Sequence, residues 1–370
     1  MGNFVRLSAG LVSIGLMSAA CSGTAVPPPA TGTQRQCALP APGKDFEAVN
    51  PADVGMDPAA VASAVSLISK QNSWSVRVFR HGCLVGQTTD DAKGGYQNKS
   101  EFFSMAKSVV ALGVGRAVTL NLMSLDDTVS KYFPKADAAH GKITVRQLLN
   151  DTAGLYFDWV PDVLGSVING LDFFLGLPKV AEPGDRWAYS QTSFTMLAAM
   201  VTKAVGIDFQ TFMQYELYSP IGISRSDWEW ARDAAGNTHG YAFLQGNNVF
   251  AARLGHLVMN DGVWDGQRLL SEAFMAELRT GTPVQPAYGL GVRLNQGDWH
   301  TDAATGGHVA RAWNPGAPRD LIEFSGAMSQ KVSIIPSLDL VYVRFGFQGS
   351  NSGWDQDVYP VLLKGIQASN

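Results

Sequence analysis

Charge is scarce in this chain: Asp, Glu, Lys and Arg supply 16% of its 370 residues, and the formal net charge is −4. With no block of basic residues, the chain lacks the positive surface that a nucleic acid requires, and no nucleic-acid partner is expected. Cysteine is rarer still, with only Cys21, Cys37 and Cys83 and no C-x-x-C pair. The six histidines (His81, His140, His239, His256, His300 and His308) are scattered, without H-x-H or H-x-x-E-H spacing. No metal site and no cofactor are therefore expected. His308, in TGGHVARAW, is the one histidine that would border a pocket near the final strands. G-x-S-x-G is missing too; GISRS at Gly222 lacks the closing glycine, which argues against a Ser-His-Asp hydrolase built on a nucleophile elbow. No heptad array or fixed-period repeat appears, which sets aside coiled coils and solenoids.

What remains is globular composition. Hydrophobic residues make up 46%, with 39 glycines and 18 prolines, in a chain long enough for one large domain or two intertwined ones.

The first twenty residues read as an address. Arg6 precedes the apolar stretch LSAGLVSIGLMSAA, which is short for a membrane span and closes on small residues. Residues 1–20 are read as a signal peptide and 21–47 as a flexible tether opening with CSGTAVPPPATGTQ. The pattern resembles a bacterial lipoprotein signal, with Cys21 as the lipidation candidate, although Ser18 occupies a position where a larger apolar residue is usual. Plain secretion is the alternative. Either way the protein is expected to be exported, periplasmic or anchored by lipid, and that anchor would be its sole membrane contact. In an oxidising compartment the remaining pair, Cys37 and Cys83, would form a disulfide or stay as two separate buried thiols.

Along the chain, WSVRVFR and CLVGQTT flank His81-Gly82 as a hairpin. From residue 104 to about 275 the periodicity is helical: ITVRQLLN reads as a short helix capped by Thr144, and PGDRWAYSQTSFTMLAAMVTKAVG puts a loop before a strongly apolar helix that Gly206 ends. From about 286 strands return in AYGLGVRL, DLIEFSGAM, QKVSIIP and LDLVYVRFGF, with a turn at Pro336–Asp339, and a helix closes the chain. The expected fold is α+β, an antiparallel sheet built from N- and C-terminal segments, flanked by helices, with a large mostly helical domain inserted. The sheet domain takes residues 48–103 and 280–370, the helical domain 104–279, and the active site lies between them.

One stretch carries a chemical signal. In SMAK, Ser104 and Lys107 stand at i and i+3, on one face of a helix. Met105, Ala106, Val109, Val110, Leu112 and Val114 surround them, and a helix apolar all round is a buried one. Desolvation disfavours an ammonium and turns a buried lysine towards a base able to take a proton from a neighbouring hydroxyl. A serine at the first turn also meets free N–H groups that stabilise an oxyanion. Taken alone, the spacing is equally that of a lysine snorkelling from a core helix.

The order of motifs adds a resemblance. FFSMAKSVVALGVGRAV, SLDDTVSKYFP, ITVRQLLNDTAGL, EPGDRWAYSQTSFTMLA, ARLGHLVMNDGVWDGQRLL and QKVSIIPSLDLVYVRFG follow one another as in the serine β-lactamase and penicillin-binding-protein superfamily. They are most similar to its class C-like branch of carboxylesterases and 6-aminohexanoate-dimer hydrolases. The resemblance spans most of residues 48 to 365 and implies that family's β-lactamase-like fold. It makes Ser104 the acylated nucleophile, Lys107 its activator and Tyr189 the proton shuttle to the leaving group. A phenol needs positive charge nearby for that role, and Lys107 would supply it. Phe324-Ser325-Gly326 takes the place of the family's Lys/His-Thr/Ser-Gly triplet. Gly326 would let a substrate lie against the strand, and the N–H groups of Ser104 and Ala327 would form the oxyanion hole.

Two departures bear on the substrate. Gln191 replaces an asparagine, so its polar contact must shift or be lost. Phe324 replaces the cation that helps hold a substrate carboxylate, which ranks uncharged esters or amides above β-lactams and peptidoglycan. Arg344, on the neighbouring strand, could supply charge from another direction, but is read as a solvated or structurally paired arginine. Tyr156, Trp159 and Trp187 lie on loops beside the nucleophile and would line an apolar pocket or pack beneath it. The expected protein is a serine hydrolase acting on a small ester or amide through an acyl-enzyme. The alternatives are a β-lactamase or D-Ala-D-Ala carboxypeptidase, and a non-catalytic cell-wall binding or sensing protein. Oligomeric state is left open.

Overall fold

The computed structural model describes residues 34–347 and 355–366, with the side chains of 159, 163, 165, 166, 355 and 356 excepted. The signal-peptide expectation and Cys21 lie outside the described residues.

Seven strands form one antiparallel sheet. They are β1 (Ser73–Arg80), β2 (Cys83–Gln87), β3 (Tyr288–Gly289), β4 (Val292–Leu294), β5 (Ile322–Gly326), β6 (Gln330–Ile335) and β7 (Leu340–Gly346), arranged in the order β2-β1-β7-β6-β5-β4-β3. The N-terminal hairpin therefore completes a sheet begun by the C-terminal strands: Val78 lies opposite Tyr342 and Arg80 opposite Leu340. Turn chemistry sets the registers locally. His81 and Gly82, at φ 51° and 71°, form the tight two-residue connection that suits the right-handed twist of a hairpin. Asp339, at φ 45°, closes the β6–β7 turn after Pro336.

Alternation along the strands separates two cores. Leu340 and Tyr342 of β7 face α1 (Pro58–Ser69) and the closing helix, α7 (Asp355–Lys364), where Ile68, Val358, Tyr359 and Leu362 pack. Val341, Val343 and Phe345 face the inserted region, where they share one core with α2 (Met105–Thr119), α5 (Thr192–Val205) and α6 (Asn248–Met259). Every residue of α2 from Met105 to Ala117 is buried. Between α2 and α5 lie α3 (Val145–Leu149), opened by a Thr144–Gln147 capping box, and α4 (Trp159–Leu175). No helix among the described residues is long and apolar enough to cross a membrane.

Three features differ from the sequence reading. Residues 34–47, placed in the tether, pack against the body: Phe46 is buried, Cys37 is bridged to Cys83, and Arg253 donates to the carbonyls of Pro40, Ala41 and Lys44. Proline-rich composition suggested a linker, but long-range contacts decide the matter. AYGLGVRL is not one strand but the β3–β4 hairpin, because Gly291, at φ 71°, turns directly over α2. A Cβ there would fall 2.9 Å from Ala111 Cβ and 3.2 Å from the Lys107 carbonyl oxygen. A small second sheet joins Ser100–Glu101, just before the inserted region, to Leu244–Gly246 and Trp228–Trp230 within it, and its strands are too short to show a period.

Cutting the bridge should loosen the start of the chain. Cys37→Ser or Cys83→Ser opens a loop of sequence separation 46. We expect a loss of about 2–4 kcal/mol in urea unfolding, with dithiothreitol producing the same loss in the unaltered protein and none in the variants.

Candidate active site

The turn before α2 is strained. Phe103 adopts φ 47°, unusual for a bulky residue, and so does Phe243 at φ 59°. Glu101 holds both, its Oε1 accepting from the Phe103 N–H at 3.1 Å and the Phe243 N–H at 2.7 Å. Burial raises the Glu101 carboxyl above its ordinary value, and these two N–H donors pull the other way. The clamp delivers Ser104, half-buried, to the N-cap of α2 with no side-chain capping bond of its own.

Lys107 is 1% exposed. Its Nζ lies 3.2 Å from Ser104 Oγ, 2.5 Å from Gln191 Oε1 and 3.4 Å from the Tyr241 carbonyl oxygen. Three rings cover the rest: Tyr189 at 4.6 Å, Tyr241 at 5.7 Å and Phe194 at 5.8 Å from Nζ to the ring centroid. The structure thus brings Ser104, Lys107, Tyr189 and Gln191 together. The longer amide of Gln191 does not lose its polar contact; it reaches the amine.

Two buried aspartates, overlooked at the sequence level, set the Tyr189 segment. Asp162, on α4, accepts from the N–H of Gln191 at 2.5 Å and of Thr192 at 3.2 Å, and from the Thr192 hydroxyl at 2.7 Å. It caps α5, where a negative charge also suits the helix dipole. Asp151 accepts from the Ser190 N–H at 3.3 Å, and its carbonyl takes the Ala188 N–H at 2.9 Å. Complete burial pushes the Asp151 carboxyl up to about 8, against the opposing pull of Lys107 and Arg293. Burial likewise raises Asp162. An acid inside an apolar stretch was the available signal for both, but their partners are backbone groups of a distant loop.

The remaining candidates are distributed as follows. Gly326 abuts the approach to α2: a Cβ on it would meet the Phe102 carbonyl oxygen at 2.4 Å, so only glycine fits. Ser325 is half-buried beside it, and Ala327 is exposed just beyond the strand. Phe324 faces the core and is fully buried, so it forms no part of an exposed pocket wall; that expectation is corrected by strand alternation, which turns Phe324 inward with Ile322. Trp187 is buried, its ring centroid 5.9 Å from that of Tyr189. Tyr156 stands half exposed, with its N–H given to Pro178, and none of its described contacts reaches Ser104, Lys107 or Tyr189. Trp159 opens α4, and its side chain lies outside the described residues. His308 is exposed against Trp299. Arg344 is consumed structurally, donating to Ser73 Oγ and to the carbonyls of Gln71, Met328 and Ser329. Among the described residues, no group of three or more His, Cys, Asp or Glu side chains is arranged to hold a metal.

An alcohol 3.2 Å from a buried amine, with a tyrosine ring packed against that amine, are the group types that acyl transfer uses. Comparison with known proteins agrees. A family model described as Beta-lactamase matches residues 75–347. Penicillin-binding protein 4* of Bacillus subtilis is 26% identical over 140 residues, covering 34% of this chain and 30% of that protein. Esterase EstB of Burkholderia gladioli is 25% identical over 211 residues, covering 47% of this chain and 53% of that protein. The alignments thus span only 30% and 53% of these two curated relatives. Among solved structures, a provisionally named 6-aminohexanoate-dimer hydrolase from Bacillus anthracis superimposes with a TM-score of 0.66 at 16% identity, over 90% of each chain.

Two measurements test the supports of the Tyr189 segment. Asp162→Ala removes three hydrogen bonds at once and should cost about 2–4 kcal/mol in thermal or urea unfolding. Asp151→Asn should act through pH. In the native state the Asp151 carboxyl holds its proton up to about pH 8, whereas the unfolded chain releases it near about pH 4. The native state therefore binds the extra proton between those limits. The contribution is full below the unfolded value and is lost as pH rises through about 8. Relative to the unaltered protein, the variant should gain stability from pH 5 to pH 9 in urea titrations; an equal difference at both ends would contradict the buried, protonated acid.

Proposed function

The chain belongs to the β-lactamase family of serine hydrolases, and on that footing we propose that it cleaves an uncharged ester or amide through an acyl-enzyme on Ser104. One observation carries the reading: the Nζ of Lys107, stripped of water, lies 3.2 Å from Ser104 Oγ and 4.6 Å from the centre of the Tyr189 ring.

The steps balance as follows. The Lys107–Tyr189 pair takes the Ser104 hydroxyl proton as Oγ bonds to the substrate carbonyl carbon, and the carbonyl oxygen becomes an oxyanion. The N–H groups of Ser104 and Ala327 stabilise that charge at the start of α2. As the carbonyl re-forms, the bond to the leaving oxygen or nitrogen breaks, and Tyr189 gives it the stored proton. Water then attacks the acyl carbon, its proton returns to the pair, and Oγ departs with that proton as the acid is released.

The substrate class follows from charge. The strand position that carries a cation in the resembling triplet holds Phe324, which is buried in the core, and Arg344 is fully engaged by backbone carbonyls. A substrate carboxylate finds no charged partner on β5, so neutral acyl groups are favoured. We also propose that the protein is exported, a reading supported by the Cys37–Cys83 bridge, since disulfides persist in oxidising compartments.

A panel decides the function: p-nitrophenyl acetate and butyrate, nitrocefin, a D-Ala-D-Ala peptide and the 6-aminohexanoate dimer, each with the native protein and Ser104→Ala. We expect turnover of the short esters, reduced roughly a thousandfold or more by the substitution. Nitrocefin turned over faster than the esters would reverse the substrate ranking. Activity untouched by Ser104→Ala would remove the nucleophile.

A further inference from the structure

Lys107 is not the only cation at Tyr189. Arg293 enters from β4 and is buried, with its guanidinium carbon 5.3 Å from the Tyr189 ring centroid. Three more rings complete a box around it: Trp313 at 4.5 Å, Tyr288 at 5.1 Å and Trp187 at 5.5 Å. Among the described residues Arg293 forms no ion pair, and its Nη1 is buried without a hydrogen-bond partner. A guanidinium withheld from water and left partly unpaired is costly unless its charge is used.

Nothing nearby cancels that charge at neutral pH. Glu323 lies opposite Arg293 in the β4–β5 register, but it is paired with Lys331 at 2.8 Å and accepts from Ser333, Tyr359 and Trp313. Asp151 is the other acid within electrostatic reach, and burial pushes it up to about 8, leaving it mostly uncharged at pH 7. Tyr288 packs against both Arg293 and Asp151, and burial raises its phenol well above the ordinary range, so it stays neutral. Asp162 is turned to the backbone of Gln191 and Thr192. The positive field at Tyr189 thus comes from Lys107 on one element and Arg293 on another.

We propose that Arg293 is a positioning residue of the acyl-transfer site, whose boxed charge stabilises the phenolate that Tyr189 becomes whenever it hands its proton to the leaving group. This rests on the reading of Ser104, Lys107 and Tyr189 above. It supplies from β4 the positive charge that β5 lacks at Phe324. An aromatic box suits the task, because ring faces hold a guanidinium by its charge without neutralising it. The low local polarity extends its reach.

The test compares Arg293→Met with Arg293→Lys on two esters. Ethyl butyrate expels an alkoxide that must be protonated; p-nitrophenyl butyrate expels an anion that need not be. Arg293→Met should lose about ten- to a hundredfold in kcat/KM on ethyl butyrate and clearly less on the nitrophenyl ester. The ascending limb of its pH profile should move up by about one unit. Arg293→Lys should recover most of both effects. An equal loss on the two esters with the limb unmoved, or a lysine variant as impaired as the methionine one, would overturn the proposal. Should Arg293→Met fail to fold by circular dichroism, Trp313→Leu, which opens the box to water, must move the limb the same way; an unmoved limb overturns the proposal. A readout free of turnover separates this claim from the one it rests on. The phenolate absorbance of Tyr189, taken against a Tyr189→Phe reference, should titrate at higher pH without the Arg293 charge, whether or not Ser104 proves to be a nucleophile, and an unchanged titration refutes the role of Arg293.

Discussion

An amine sealed from solvent is costly for a protein core to hold in its charged form, and Lys107 places such an amine in this core. What surrounds it is informative. Its three oxygen partners are an alcohol, an amide and a peptide carbonyl, from Ser104, Gln191 and Tyr241. None is a carboxylate. A carboxylate at hydrogen-bond distance would fix the proton on the amine and end its use as a base. Neutral oxygens accept from the amine in either protonation state, since a neutral amine still has two N–H bonds to give. The acids of the site are kept one step away: Asp162 gives both oxygens to the N–H groups of Gln191 and Thr192, and Asp151 gives one to the N–H of Ser190.

Those partners come from separate stretches of chain, and much of the surrounding structure exists to bring them to one point. Glu101 clamps two left-handed residues, Phe103 before Ser104 and Phe243 just after Tyr241, through a small sheet that joins Ser100–Glu101 to Leu244–Gly246. Gly291 lets the β3–β4 hairpin close onto α2, where Ser108 donates to its carbonyl at 2.7 Å. Gly326 lets β5 run against Phe102. Strain and close approach concentrate around Ser104, where a rigid sheet and the core beneath it can hold them in place.

Legibility in the sequence followed the range of the interaction. The β1–β2 hairpin, the Thr144 cap and the Gly206 stop were readable because turn and cap chemistry is local. Ser104 and Lys107 stood out because a charged residue inside an apolar helix is anomalous on its face. The same test applied to YGLGVRL would have singled out Arg293, but a single basic residue in a strand passes easily for a solvated one. Tyr189 was reached through resemblance alone, since nothing in its immediate neighbours marks it. Asp151 and Asp162 could be noticed as acids in apolar stretches, but their roles could not be read, because most of their partners are peptide N–H groups, which every residue but proline carries. The segment from Gln34 to Glu47 was misjudged because composition predicts a linker only where no distant residue, such as Arg253, collects its carbonyls.

Taken together, these features describe a site whose positive charge has been relocated rather than removed. The β5 position that would face a substrate carboxylate is given over to Phe324 and the core, while Arg293 puts a guanidinium behind the phenol instead of in front of the substrate. A cation in front of the substrate selects what binds, because it rewards an anionic ligand. On the proposal above, a cation beside Tyr189 favours its phenolate form wherever that form occurs, in the resting pair as well as after proton transfer, and so sets how readily the pair takes and gives its proton. If Arg293 acts as proposed, its charge is spent on proton transfer and not on binding an anionic ligand, which fits the neutral substrates proposed for this site.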